Sequence, residues 1–335
     1  MSKKGNNILN NPPGNNYSFN SFLPPNLPTG NNNNNNNNNN WSIPIITSSD
    51  PNDIVGPGGF GEENWVSAAA TLPYTIRFEN QETATAPAQE VFITHPLDGD
   101  LDWRTFRLGS FGWGDLVFEV PENRSFYSSR LDLTESDGFF VDVFAGIDIA
   151  KGEAFWTLTT ISPETGEIVE DPFGGFLPPN NENGVGDGFV SYTIQGDRDA
   201  RTGDVVDAEA TIIFDTEEPI DTPPIFHTLD AVAPTSTVAV LPETMETEEF
   251  LVSWSGNDDE GGSAIASYTV YVSEDGSAFA PWLEATNLTE ATFVGEPGGR
   301  YEFYSVARDN AGNIEAIPAV PQAHTQIAGG NTPPE

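Results

Sequence analysis

Carboxylates and carboxamides gathered in three places are the residues of this chain best suited to chemistry, and the chemistry is cation binding. The first group is Asn257, Asp258, Asp259 and Glu260, together with Asp309, Asn310 and Asn313. The second is the alternating run Asp98-Gly-Asp100-Leu-Asp102. The third sets Asp50, Asn52 and Asp53 against Asp215, Glu217, Glu218 and Asp221. All-oxygen sets suit Ca2+, with its flexible coordination, better than Mg2+ or a transition metal. Asp258, Asp259, Glu260, Asp309, Asn313, Asp98, Asp100, Asp102, Asp215 and Asp221 are therefore the candidate metal ligands, and Ca2+ is the expected ion. Each group has a plainer alternative. Asp309 and Asn313 also fit the side-chain-to-backbone hydrogen bonds that Asx residues make in turns. The second group opens like an EF-hand loop, but Trp103 stands where the turn glycine belongs and Gly109 where the closing glutamate belongs. It is not an EF-hand, and reads as either a cation-binding turn or a solvated one. In the third group a cation shared between rigid bodies would remove hinge freedom; otherwise these acids are a solvated coat.

Catalytic signals are poor. The three histidines, His95, His227 and His324, stand far apart in the sequence. No His-Glu-x-x-His zinc motif and no Gly-x-Ser-x-Gly elbow occurs. Gly56-Pro-Gly-Gly-Phe-Gly61 matches a dinucleotide fingerprint by letter, but lacks the strand-then-helix setting that aims backbone amides at a phosphate. It reads as a loop. With 51 Asp plus Glu, some carboxylate pair always lies at a distance workable for glycoside hydrolysis, so that signal decides nothing. The absence of cysteine excludes disulfides, zinc-thiolate sites and thiol nucleophiles. The expectation is a protein that is not an enzyme.

The first acid group depends on the strands that end at it. Phe250, Val252 and Trp254 alternate with Leu251, Ser253 and Ser255, as a half-buried strand requires, and Tyr301, Phe303, Ser305 and Ala307 share a face in a later one. Trp254 reads as core rather than as a platform for sugars. Trp254, Tyr268 and the run Tyr301-x-Phe-x-Ser-x-Ala-x-Asp-Asn-Ala-Gly-Asn313 resemble a bacterial fibronectin type III or related immunoglobulin-like module over residues 233–325, in a domain taken as residues 231–325. The resemblance implies a two-sheet sandwich used as a spacer or binding platform in exported proteins. In such a sandwich the loops after the second and sixth strands lie at one pole, which would bring Asp258–Glu260 to Asp309–Asn313.

Residues 48–230 alternate in the same way. Leu72, Tyr74, Ile76 and Phe78 form one run. Others are Val91 and Ile93; Leu116, Phe118 and Val120; Val141, Val143 and Ala145; and Phe155, Thr157 and Thr159. Phe189–Ile194 and Ala208–Phe214 are further strand candidates. Turn signals separate them at Pro163–Gly166, Asn183–Gly188 and Thr202–Asp204. No amphipathic helix is apparent, and Ser67–Ala70 is too short for one. Tyr74-Thr-Ile-Arg-Phe-Glu-Asn80 followed by Ala86–Leu97 resembles the conserved repeat β-sandwich of large bacterial surface proteins. It departs from that pattern at His95, where an acid is usual, and at Thr216-Glu217. The resemblance implies an extracellular structural setting. The two sandwiches meet at a short joint, Phe226–Pro234.

Composition sets the remaining limits. Lys plus Arg number 12, giving a net charge of −39. The first forty residues carry only Lys3 and Lys4, so the remainder holds −41. Clustered cations for nucleic acid are absent, and an anionic membrane would repel this surface. No apolar run approaches the ~20 residues of a membrane span, and the N-terminus lacks an apolar signal core. Residues 1–47, with ten consecutive asparagines at 31–40, read as a disordered tether or as a strand donated to a neighbour. The run Trp41–Ile46 reads as an edge strand, and residues 326–335 as a tail. The chain is thus expected to be all-β, with two β-sandwich (immunoglobulin-like) domains in tandem. Its expected role is that of an extracellular, cell-surface structural or adhesive protein, stiffened by Ca2+. Its expected partners are other copies, other surface proteins or glycans. The rival reading is an accessory module of an exported enzyme.

Overall fold

The computed structural model describes residues 52–329. The arm of residues 1–47, the Trp41–Ile46 strand and the end of the tail lie outside them. Within the described residues every regular element is a strand. None is a helix long and apolar enough to cross a membrane.

The first sandwich holds fourteen strands: β1 (Asp53–Val55), β2 (Trp65–Ser67), β3 (Thr71–Glu79), β4 (Glu90–Pro96), β5 (Leu101–Trp113), β6 (Leu116–Phe118), β7 (Phe126–Leu133), β8 (Phe139–Asp148), β9 (Glu153–Ile161), β10 (Asp187–Gly196), β11 (Val205–Ala208), β12 (Thr211–Phe214), β13 (Ile220–Asp221) and β14 (Ile225–Asp230). They form a five-stranded sheet β1-β3-β10-β5-β6, a six-stranded sheet β13-β12-β4-β9-β8-β7, and a three-stranded sheet β11-β14-β2. The last contains the parallel pair β14–β2. The two large sheets face each other: Trp156 of β9 meets Phe106 and Tyr192 of β5 and β10. Period-2 patterning drives this. Leu72, Tyr74, Ile76 and Phe78 point inward from β3 and are almost wholly buried, each side chain contributing roughly 1.5–3 kcal/mol. On β9 the inward residues are Ala154, Trp156 and Leu158. The expected face of Phe155, Thr157 and Thr159 is the outer one, because Phe155 belongs to an aromatic row with Phe144 and Phe126 on the far side of the sheet. A one-residue shift of phase exchanges the faces completely.

The second sandwich pairs β15 (Thr235–Val238), β17 (Glu249–Asn257) and β20 (Glu290–Val294) in one sheet. Opposite lie β16 (Thr244–Met245), β22 (Ala323–Ile327), β21 (Arg300–Asp309), β18 (Ile265–Glu274) and β19 (Ala280–Thr286), in that order. Val252, Trp254, Val270 and Phe303 fill its separate core. The expected tail therefore begins too early. Gln326 and Ile327 still belong to β22, paired with β16, and Ile327 is buried because Ala323, Thr325 and Ile327 alternate inward. Gln322 fastens the two sheets together: its Oε1 accepts from the N–H of Val238 and of Ser305, and its Nε2 donates to the Ser236 carbonyl.

Candidate metal centre

Three carboxylates meet where the first sandwich ends. Asp230 is the last residue of β14, Asp258 follows β17, and Asp309 closes β21. One oxygen of each lies within 4.8 Å of the others. Asp230 and Asp309 are buried, and Asp258 is half-buried. Backbone groups hold two of them. Asp230 Oδ2 accepts from the N–H of Ser263 at 2.9 Å, and Asp309 Oδ1 accepts from the N–H of Gly312 and Asn313 at 2.7 and 2.8 Å. Asp258 is different. Both its carboxylate oxygens are shielded from solvent and have no hydrogen-bond partner, as is Oδ1 of Asp259. The N–H groups of Asp259 and Ala264 lie near Asp258 and favour its charge, but neither makes a hydrogen bond of normal geometry to it. Gly262 closes over these oxygens. A Cβ there would stand 2.4 Å from Asp259 Oδ1 and 2.9 Å from Asp258 Oδ2, so a side chain at this position would have to push both carboxylates aside.

The electrostatics are unfavourable without a counter-charge. Burial, then the nearby Asp230, raises the Asp258 carboxyl above the usual carboxylate range. Burial likewise raises Asp309, with Asp230 adding to it and the Asn313 hydrogen bonds opposing it. Two such charges about 5 Å apart repel by roughly 3 kcal/mol at an effective dielectric near 20. None of the ion pairs among the described residues reaches the group. Oxygen-only donors, orphaned buried oxygens and a glycine-walled space fit a hard divalent cation.

Of the candidate ligands, Asp258 and Asp309 come together, with Asp259 beside them, whereas Glu260 is exposed. Asn313 is a fastener: its Nδ2 donates to Asp309 Oδ2 and to the Asp230 carbonyl, and its Oδ1 accepts from the Ser67 hydroxyl. The turn bonds open to Asp309 and Asn313 thus exist alongside the carboxylate group. The second acid group does not converge on one point with the first. Asp98 accepts from the Asp100 and Asp207 N–H, and Asp102 sits in β5 and accepts from Arg104 N–H. Burial raises Asp100, with Asp204, Asp98 and Asp197 adding to it. The third group is divided between sheets. Asp53 is paired with Arg77 in the five-stranded sheet. In the six-stranded sheet Asp215 accepts from Gln89 and Glu90 N–H, and Asp221 from the Thr211 hydroxyl. Sequence reasoning missed Asp230. The one available signal was an acid at a strand end just before the joint.

Residues 50–125 and 166–228 match the model of a domain of unknown function, DUF7619. The conserved-repeat resemblance is thus supported as a β-sandwich and not as that specific repeat family. No curated protein matches the chain. Among solved structures it is similar to the fibronectin(III)-like modules of Clostridium thermocellum CbhA, at 10% identity over 84% of this chain and 97% of that one, with TM-score 0.34. It is similar also to the group B streptococcus pilus 2b backbone protein, at 12% identity over 83% and 100%, with TM-score 0.32. A third is the collagen-binding domain of a Staphylococcus aureus adhesin, at 14% identity over 55% and 99%, with TM-score 0.27. These are likenesses of fold, and no residue role is carried across.

Proposed function

We propose that this chain is a structural or adhesive segment of an exported bacterial surface protein, rather than an enzyme, and that Ca2+ at Asp230, Asp258 and Asp309 holds its two sandwiches in one orientation. The observation that carries the reading is the orphaned, solvent-shielded carboxylate of Asp258 facing two buried carboxylates from different strands. Asp230 belongs to the first sandwich and the other two to the second, so a bound cation would tie one body to the other. The arm of residues 1–47 serves as a tether or as a strand given to a neighbouring copy.

The test is thermal unfolding in excess EDTA, in CaCl2 and in MgCl2, all at the same high NaCl concentration, which keeps screening constant. A ligand bound only by the folded state at a hundred times its Kd adds about 2.7 kcal/mol. The expected outcome is a rise in Tm with Ca2+ that Mg2+ does not match. Asp258→Asn removes no hydrogen bond, so it should abolish the Ca2+ response while raising Tm in EDTA by relieving repulsion. Equal melting in all three solutions refutes the metal centre.

A further inference from the structure

Beside the metal centre a groove of about 360 Å³ runs between the two sandwiches. Phe60, Trp65 and the Gly58-Gly59 segment wall it on one side, and Asn310 and Ala311 on the other. Its volume lies at the small end of ligand sites, which run about 300–1,000 Å³. No lining residue is charged, in a chain with 51 acidic residues. Phe60 leaves 48% of its surface in water. The space beside Gly58 is open, with no atom within 4 Å of where a Cβ would stand.

The polar groups narrow the ligand class. The Asn310 amide already donates to the carbonyls of Ser263 and Ala264, at 2.9 and 2.8 Å, so it offers an acceptor oxygen. Thr71 Oγ1 accepts from Gln195 Nε2 at 3.2 Å, which leaves its hydroxyl hydrogen to donate. An acceptor and a donor beside two aromatic rings suit a pyranose, with its C–H face and hydroxyl rim. An anionic ligand finds no counter-charge here, and no carboxylate of the lining itself pairs with a cationic one. An added peptide strand finds no ladder either: Trp65 exchanges both backbone bonds with Phe60, and the Ser67 carbonyl accepts from Ala70.

We propose that this groove binds one residue of a neutral glycan, and that cation binding strengthens it. Asn310 and Ala311 sit in the loop that Asp309 shapes through the N–H groups of Gly312 and Asn313. Cation and sugar therefore act on one loop, and whatever factor the cation adds to sugar affinity the sugar adds to cation affinity. This coupling rests on the metal-centre reading; the sugar site itself does not.

The experiment is calorimetric titration of the full chain with cellohexaose, mannohexaose, xylohexaose and chitohexaose, in Ca2+ and in EDTA. At least one should bind saturably in Ca2+, and more weakly in EDTA. Trp65→Ala should weaken it roughly tenfold or more, a loss of one stacking platform. Ala311→Phe, on the loop, should block the groove without touching the first sandwich's core. Binding that ignores both substitutions overturns the location. Binding that is equal in Ca2+ and EDTA overturns the coupling and leaves the sugar site standing. If no glycan binds, the sugar site is wrong while the melting result for the metal centre stands separately. Capture of an uncharged, Phe-rich peptide in their place reassigns the groove to a protein partner.

Discussion

His95 shows how one buried side chain ties stability to pH. It is 1% exposed, between the Glu209 carbonyl at 2.8 Å from Nδ1 and the Tyr192 hydroxyl at 2.7 Å from Nε2. A carbonyl only accepts, so Nδ1 carries the hydrogen and Nε2 accepts from Tyr192. Burial lowers its pKa, against a smaller upward pull from Glu209. Burial also lowers that of His227. A group with a depressed folded pKa contributes stability that is present above its unfolded value, near 6.5, and is lost as pH falls toward the folded value. In EDTA, Asp258 and Asp309 act in the opposite sense: their raised pKa values mean that acid relieves their repulsion. His95→Gln should therefore flatten the loss of stability below pH ~6.5 by up to about 1.4 kcal/mol per pH unit relative to the parent. Urea unfolding of both proteins in EDTA from neutral to mildly acidic pH checks this. Parallel curves exclude His95 as the source.

Gln322 does for the second sandwich what a disulfide does elsewhere, with hydrogen bonds. One amide joins β15, in the three-stranded sheet, to β21 in the opposite sheet. Gln322→Ala leaves several backbone groups unpaired, and should cost about 1–3 kcal/mol. Hydrogen exchange should show the Val238 amide losing protection while β18 keeps its own; unchanged exchange at Val238 counts against the role. The strands that were legible in the sequence are those with one clean buried face, such as β3 and β17. β5 was not, because register shifts opposite Val190–Tyr192 and Thr193–Gln195 break its alternation over thirteen residues. β7 was not, because most of its side chains are exposed or half-exposed and carry no apolar run. The phase of β9 was obscured by aromatic residues on its outer side. At the metal centre, loop acids that follow strands of one sandwich were readable as neighbours. Asp230 was not, since only the docking of β14 against the second sandwich brings it there.

For the molecule as a whole the net charge of −39 sets the terms of assembly. Like-charged bodies resist close approach, and screening or bound cations must offset this. The chain's first acid is Asp50, so residues 1–47 lie in its longest acid-free stretch. If that stretch is the donated strand, a chain lacking residues 1–46 should sediment as a folded monomer at salt concentrations where the full chain assembles. Filaments formed by the shortened chain rule out the exchange. The row of exposed Phe126 and Phe144 and half-buried Phe155 lies on the six-stranded sheet, in the part of the first sandwich that the DUF7619 model leaves unmatched.

The parallel pairing of β14 with β2 has a mechanical consequence. β14 is flanked on both sides, by β11 and by β2, and leads at Asp230 into the joint to the second sandwich. Tension passed between the bodies pulls β14 along its own axis, at right angles to most of the bonds that hold it. Those bonds share the load in shear and must yield together, whereas a strand peeled from an edge gives them up one by one. A cation on Asp230 would sit at the point where the pull enters, so that the load would pass into β14 through the clamp as well as through the four-residue joint that follows.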